Sequence, residues 1–256
     1  MLKVYLDRGE KHDEKLHDGD SVASIAATVF KPNPYKQFIR PWNRMLREWN
    51  ATAFHATDFY SGAEEFERRE SKREDIFQRD CRIIPALIGE HIHRVMIVSF
   101  RPGEFAEKAS PKWREKFGTE THPLAVQLCM VMLGWWRKRN CPSENFAYFH
   151  ETGDLSQGKV EEAVRILRQD KEYGPHFAAT SFTMINKGEA RGLEASDFVA
   201  WHWNKHYIER LKIGEEEPRK DFSVFMKLSE KKVSSAFITG EKLIEFFRVC
   251  DKLYEK

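Results

Sequence analysis

Three acidic residues in this 256-residue chain could do chemistry, because each stands beside or within an apolar segment. Asp7 follows a short apolar segment near the start of the chain. Glu151 directly follows the apolar segment 145–150, and Asp197 lies within the mostly apolar segment 192–201. Carboxylates act as general acids and bases or as ligands of hard cations, so each of these positions needs an explanation.

Asp197 is the most informative of the three. On a helix it shares a face with Leu193 and Ala200, which puts its carboxylate on the stripe that faces the core. Burying an unpaired carboxylate costs on the order of several kcal/mol. We therefore expect a partner for Asp197: a buried Arg or Lys, a neighbouring element that it caps, or a functional cation.

Glu151 and Asp7 both lie at the ends of segments predicted to be strands. Acidic residues just past the carboxyl end of a strand occupy the edge where open α/β sheets bind ligands. Glu151 is a poor turn former, which favours a functional role, whereas Asp154 suits a turn or a helix cap. For Asp7, which is followed by Gly9, a turn is the commoner explanation.

If the three acids converge, their charges repel one another. One carboxyl group is then protonated, or a divalent cation neutralises the cluster. Oxygen ligands suit Mg²⁺ or Mn²⁺, and such a site can activate a water molecule and stabilise a phosphoryl oxyanion. Asp7, Glu151 and Asp197 are therefore candidate metal ligands and catalytic residues.

A fourth feature is the segment 54–59, Phe-His-Ala-Thr-Asp-Phe, in which His55 and Asp58 lie between aromatic residues. The slightly favoured explanation is a polar pair that caps a helix predicted to begin near Gly62. The alternative is a functional pair.

Composition limits the classes of protein that the chain can be. Hydrophobic residues make up 41% and charged residues 32%, which excludes a disordered tail, a collagen-like chain and a membrane protein. The formal net charge of +2 is no argument for or against a polyanionic partner. The sequence contains neither a Gly-rich phosphate loop nor a G-x-S-x-G nucleophile motif.

The four cysteines match no zinc pattern and no CxxC motif. Cys81, Cys129 and Cys250 lie among apolar residues, so we expect these three to be core residues in a reducing compartment. The N-terminus lacks the apolar stretch of a signal peptide. Together these features predict a cytoplasmic protein.

Strands and helices alternate along most of the chain, which predicts an α/β fold with a mixed sheet. The predicted strands are Leu2–Leu6, Ser21–Phe30, Arg94–Phe100, Asn145–His150 and His176–Met184. The predicted helices are Tyr35–Trp49, Gly62–Leu87, Pro123–Trp136, Gln157–Gln169, Leu193–Leu211 and Glu241–Lys252. We expect the first two strands to form an antiparallel hairpin and the apolar helix from Pro123 to be central.

Four motifs, taken in order, resemble the domain-of-unknown-function 3800 (DUF3800) family, whose members resemble RNase H-like proteins. They are Val-Tyr-Leu-Asp at 4–7, Phe-His-Ala-Thr-Asp-Phe at 54–59, Phe-His-Glu-Thr-Gly-Asp at 149–154 and Leu-Glu-Ala-Ser-Asp-Phe-Val-Ala at 193–200. Each motif is short, and the specificity of the resemblance comes from the ordered set.

The resemblance implies an RNase H-like α/β fold, a mixed sheet with flanking helices and a carboxylate cluster at its centre. We expect this domain over residues 1–214, followed by a charged linker and a helical C-terminal extension over 215–256 that packs on it. The resemblance makes Asp7, Glu151 and Asp197 candidate metal ligands. It places His55 and Asp58 at the rim of the same site, with Asp58 as a further candidate ligand.

Two positions depart from the family pattern. The family's Asp-Glu-Ser-Gly is replaced by Asp-Arg-Gly-Glu at 7–10, so the second acid and the hydroxyl are missing from their places. Either Glu10 compensates after a shifted turn or the site is weakened. The family's Leu-Gln is replaced by Leu193-Glu194, which adds an acid near Asp197 that could alter metal binding.

The leading hypothesis is an Mg²⁺- or Mn²⁺-dependent nuclease that hydrolyses nucleic acid at Asp7, Glu151 and Asp197. His55 would shuttle a proton, because its unperturbed pKa lies near neutrality. The alternative is a non-catalytic RNase H-like interaction module with a degenerate acidic site, in a defence or mobile-element system. The altered turn after Asp7 and the nearly neutral net charge favour that alternative.

Hydrolysis of a small phosphate ester is a third, weaker hypothesis. We expect no membrane partner, because the longest apolar run, 124–136, is too short to cross a bilayer. A homodimer through the C-terminal segment, which carries Phe246 and Phe247, stays open.

Overall fold

The computed structural model describes residues 1–9, 23–67, 71–111, 122–153, 157–169, 171, 174–177, 179–213, 220–238, 240–245 and 248. Within these residues, helices cover both faces of one six-stranded mixed sheet, so the predicted α/β fold is confirmed.

The strands are β1 Leu2–Gly9, β2 Ala23–Phe30, β3 Arg94–Phe100, β4 Phe146–Glu151, β5 Ala179–Ile185 and β6 Val233–Ile238. Their order in the sheet is β5-β4-β1-β2-β3-β6. β2 runs antiparallel to both β1 and β3, which confirms the predicted hairpin of the first two strands. β4 lies parallel to β1 and β5 parallel to β4, so these three strands end at the same edge of the sheet.

The helices are α1 Pro32–Trp49, α2 Ala56–Ser61, α3 Ser71–His91, α4 Pro102–Lys108, α5 His122–Asn140, α6 Gln157–Gln169, α7 Gly174–Phe177, α8 Arg191–Ile213 and α9 Lys220–Ser229. Residues 240–245 and 248 are also helical. Single turns of 3-10 helix cover Glu64–Phe66, Lys187–Glu189 and Glu230–Lys232.

The sheet separates two hydrophobic cores. One core lies under α5 and α6, and the other lies under α1, α3 and α8. Residues from His122 to Val131 are all buried, so the predicted central position of α5 is confirmed. Every residue of β2 is also buried, as expected for a strand covered on both faces. No described helix, α5 included, is long and apolar enough to cross a membrane.

Two glycines allow α8 to lie unusually close to β1. A Cβ atom on Gly192 would come within 2.1 Å of the Tyr5 ring, and one on Gly9 within 2.5 Å of the Ala200 carbonyl oxygen. Any larger residue at either position would force the helix away from the strand. This close approach matters because α8 carries Asp197 and β1 carries Asp7.

A buried polar contact fixes the same helix to the sheet. The Ser196 hydroxyl of α8 lies 2.8 Å from the Tyr5 carbonyl oxygen and 2.6 Å from the Thr28 hydroxyl. The Thr28 hydroxyl also lies 3.2 Å from the Gly192 carbonyl oxygen. Because buried hydroxyl groups must be hydrogen-bonded, this contact sets how α8 is rotated and positioned over β1 and β2.

Two predicted elements differ from the observed ones. Gly62 does not begin a helix: it adopts a left-handed conformation, φ 71°, that ends α2, and α3 begins only at Ser71. Left-handed backbone is most accessible to glycine, so Gly62 acts as a helix stop. The predicted strand His176–Met184 begins later, as β5, because residues up to Phe177 form the short helix α7.

The chain after residue 214 is not only helical. β6 lies parallel to β3 and forms one edge of the sheet, and α9 packs against α3. The C-terminal segment is therefore part of the same sheet as the preceding 214 residues. The expected charged linker, the Phe246-Phe247 pair, Asp154 and Glu10 lie outside the described residues.

We predict that Gly192→Ala lowers the free energy of unfolding by about 1–3 kcal/mol, the range of overpacked cores. The added methyl group would collide with the Tyr5 ring. Gly158→Ala on α6 is the matched control, because a Cβ there meets nothing within 4 Å. Denaturant unfolding of both variants tests this, and equal stability of the two would contradict it.

Candidate functional site

Strand register brings Asp7 and Glu151 together. Leu6 of β1 pairs with His150 of β4 in the parallel ladder. The next residue on each strand, Asp7 and Glu151, therefore points to the opposite face of the sheet from this pair. That is the face covered by α8. Glu151 is the last residue of β4, near the place predicted for it, whereas Asp7 lies within β1, which continues to Gly9.

Asp197 lies on α8, the helix that covers this face of the sheet. Its side chain is only 13% exposed, as expected for an acid on the core-facing stripe of the helix. Its Oδ2 accepts a hydrogen bond of 2.9 Å from the backbone N–H of Ala56, the first residue of α2. Asp197 therefore holds the start of α2 against the site, which is one of the roles expected for it.

The three acids meet at a buried lysine. Lys187 Nζ lies 2.9 Å from Asp7 Oδ2, 3.1 Å from Glu151 Oε2 and 3.2 Å from Asp197 Oδ2. The Lys187 side chain is 8% exposed, and the Glu151 side chain, at 31%, is the most open of the four. The cluster is therefore closed by the fold on most sides and reaches solvent beside Glu151.

Electrostatics couple the four side chains. Burial raises the pKa of Asp7 well above its usual range; Lys187 opposes this, and the charges of Asp197 and Glu151 add to it. Burial lowers the pKa of Lys187, but the three carboxylates outweigh burial and the net pKa is raised. Lys187 is therefore held as an ammonium group, and its charge partly offsets the cost of ionising the buried Asp7.

His55 and Asp58 lie beside the cluster and not within it. His55 precedes α2, and Asp58 lies in the first turn of that helix. Among the residues that the structure describes, no hydrogen bond or ion pair joins either side chain to the three carboxylates or to Lys187. The expectation that they cap a helix starting near Gly62 is wrong, since α2 ends at Gly62 and the His55 side chain caps nothing.

Glu194 binds partners that are not part of the acidic cluster. Its carboxylate, fully buried, accepts hydrogen bonds from the Trp42 indole and the Arg191 guanidinium. Burial raises the pKa of Glu194, and Arg191, Trp42 and a backbone hydrogen bond from Phe54 lower it. Glu194 and Asp197 each accept a hydrogen bond from the backbone of the 54–56 segment, and the expected influence of Glu194 on metal binding stays a prediction.

The donor set suits a hard divalent cation. Three carboxylates from β1, β4 and α8 surround one point, and oxygen ligands of this kind are those that Mg²⁺ and Mn²⁺ prefer. In this structure the Lys187 ammonium takes that point. Among the described residues, these three acids included, no group of three or more His, Cys, Asp or Glu side chains is arranged so that it could hold a metal ion.

Sequence reasoning missed Lys187, although a signal was available. Lys187 lies two residues past the end of β5, the third of the parallel strands that end at this edge. The rule that singled out Glu151 after its strand applies equally here. The early end assigned to the last predicted strand, at Met184, left Lys187 in an unassigned stretch.

We predict that Glu194→Gln lowers the free energy of unfolding by about 2 kcal/mol, because the buried Arg191 contact loses its charge. Glu162→Gln is the matched control: Glu162 pairs with Arg165 in the same i,i+3 geometry, but both side chains are about half exposed. A solvent-exposed pair contributes little to stability, because water and salt screen its charges. Thermal unfolding of the two variants compares their loss of stability. A loss for Glu194→Gln no larger than that for Glu162→Gln would contradict the prediction.

Comparison with known proteins adds no family assignment. No protein-family model matches the chain, and no curated protein matches it. The resemblance to the domain-of-unknown-function 3800 family stays a hypothesis that depends on the four short motifs.

Proposed function

We propose that the protein is a divalent-metal-dependent nuclease with an RNase H-like sheet. The observation that carries this proposal is the convergence of Asp7, Glu151 and Asp197 around one point at the carboxyl ends of central parallel strands. The family resemblance implies the same three acids in the same role. Its expectation of a carboxylate cluster at the centre of a mixed sheet agrees with this geometry.

The charge of the cluster supports a functional role. Three carboxylates face one ammonium group, so the ionised cluster carries an excess of negative charge in a mostly buried place. A buried cluster that served only to stabilise the fold would be expected to contain equal numbers of positive and negative charges, because uncompensated buried charge is costly. A site prepared for a divalent cation in place of the single charge of Lys187 explains the excess.

The bound ion and the residues of the site have separate roles in this proposal. When bound, a divalent cation activates a water molecule and stabilises charge on a phosphoryl oxygen. Asp7, Glu151 and Asp197 hold the cation, and the opening beside Glu151 admits the phosphodiester. His55, on the segment that Asp197 fixes, moves a proton at the rim, and Asp58 on the same segment is a further candidate ligand.

A cleavage assay tests the proposal. Labelled single- and double-stranded DNA and RNA are incubated with Mn²⁺ or Mg²⁺ and with wild type, Asp197→Asn or Asp75→Asn. We expect Asp197→Asn to lose at least about 100-fold in rate, the scale of an essential charge in the transition state. Asp75→Asn makes the same chemical change at an exposed position of α3 and should cleave like wild type.

Two controls make this result specific. Circular dichroism and melting must show that Asp197→Asn is folded, since Asn keeps an acceptor for the Ala56 N–H. Equal cleavage by all three proteins would indicate a contaminating nuclease and would contradict the proposal. His55→Gln in the same assay should slow cleavage by about 100-fold or more if His55 transfers a proton.

A second candidate function is a non-catalytic interaction module, and Lys187 is the observation that favours it. An ammonium group within 3.2 Å of all three carboxylates holds the cluster together without any metal. Such a protein would not cleave any nucleic acid under these conditions, and Mn²⁺ would not raise its melting temperature. A nuclease site gains stability from the ion by mass action.

A further inference from the structure

We infer that Lys187 is an internal competitor for the metal position, and that it must leave the three carboxylates before a divalent cation can bind them. This inference rests on the proposed function, because it concerns the same site. It assigns to Lys187 the control of ion affinity, a role distinct from holding the ion or transferring a proton.

Distance makes the two cations mutually exclusive. Lys187 Nζ contacts one oxygen of each acid, at 2.9, 3.1 and 3.2 Å. Mg²⁺ takes its oxygen ligands at about 2.0–2.1 Å, so an ion held by the same three oxygens would lie within the space of the ammonium group. Two positive charges at that separation also repel strongly. The cluster holds one cation or the other.

The surroundings of Lys187 allow it to leave. The residue lies in a single turn of 3-10 helix between β5 and α8. Its flexible four-carbon stem ends beside Glu151, the most exposed acid of the cluster. Rotation of the stem toward that opening would free the carboxylates without moving α8.

While Lys187 occupies the site, it keeps the acids assembled. Asp7 is 3% exposed and Asp197 is tied to α2, so neither can move away to relieve repulsion. The ammonium group compensates part of that charge when no metal is bound. The consequence is a weakened apparent ion affinity, because only the fraction of molecules with Lys187 displaced can bind.

Mn²⁺ titration by calorimetry tests the inference. The proteins are wild type, Lys187→Met and Lys36→Met, where Lys36 is an exposed residue of α1. Lys187→Met keeps most of the side-chain volume but removes the charge. We expect it to bind Mn²⁺ at least about 10-fold more tightly than wild type, because the competing state is gone. Lys36→Met should match wild type.

A labelling experiment on the wild-type protein covers the case in which Lys187→Met does not fold. Lysines are acetylated with an amine-reactive ester, with and without Mn²⁺, and quantified by peptide mass spectrometry. Without the ion, Lys187 should be protected because it is buried and triply paired. At Mn²⁺ concentrations that saturate binding, its acetylation should rise at least about 10-fold, while that of Lys36 stays constant.

The outcomes separate this inference from the proposed function. If wild type binds Mn²⁺ but Lys187→Met binds it no more tightly, or Lys187 stays protected at saturation, the competitor role is overturned and the metal site survives. If wild type and a folded Lys187→Met both fail to bind millimolar Mn²⁺, the inference and the proposed metal site fail together. Tighter binding by Lys187→Met, with exposure of Lys187 in wild type, supports both.

Discussion

The structure depends on one electrostatic constraint, the burial of three carboxylates and one ammonium group at the carboxyl ends of the parallel strands β1, β4 and β5. Such a cluster is tolerated only if the opposite charges lie in contact, because each buried ion has lost its hydration. Contact requires that β1, β4 and β5 end at the same level and that α8 lies directly over them. Strand register, helix position and the turn after β5 are therefore parts of one arrangement.

α8 connects the core with the site. Gly192 and the Ser196 hydroxyl determine how closely and in what rotation the helix lies on β1. The same helix then presents Asp197 to the cluster and, about one turn earlier, Glu194 to Trp42 and Arg191. A change in packing at Gly192 would thus be transmitted to the acids, which links the stability of this core to the geometry of the candidate site.

Under the proposed function, the acidic cluster has two alternative partners, Lys187 and a divalent ion. In the arrangement described here the cation is covalently part of the chain, which stabilises the fold without a cofactor. A divalent ion would replace it with a stronger charge that can also polarise a phosphate. The opening beside Glu151 distinguishes this cluster from the Glu194–Arg191 pair, whose carboxylate is fully buried.

Local sequence patterns were enough to predict an α/β fold, most strands and helices, and the three acids that meet. The reason is that periodicity shows which residues are buried, and Asp7, Glu151 and Asp197 each interrupted such a pattern. The identity of their partner could not be predicted, because Lys187 reaches them only through the pairing of β4 with β5, a contact between distant segments. Likewise, only tertiary packing directed Glu194 to Trp42 and added β6 to the sheet. The pattern of neighbouring residues predicts whether a residue is buried, but it does not predict which distant residue or strand it contacts.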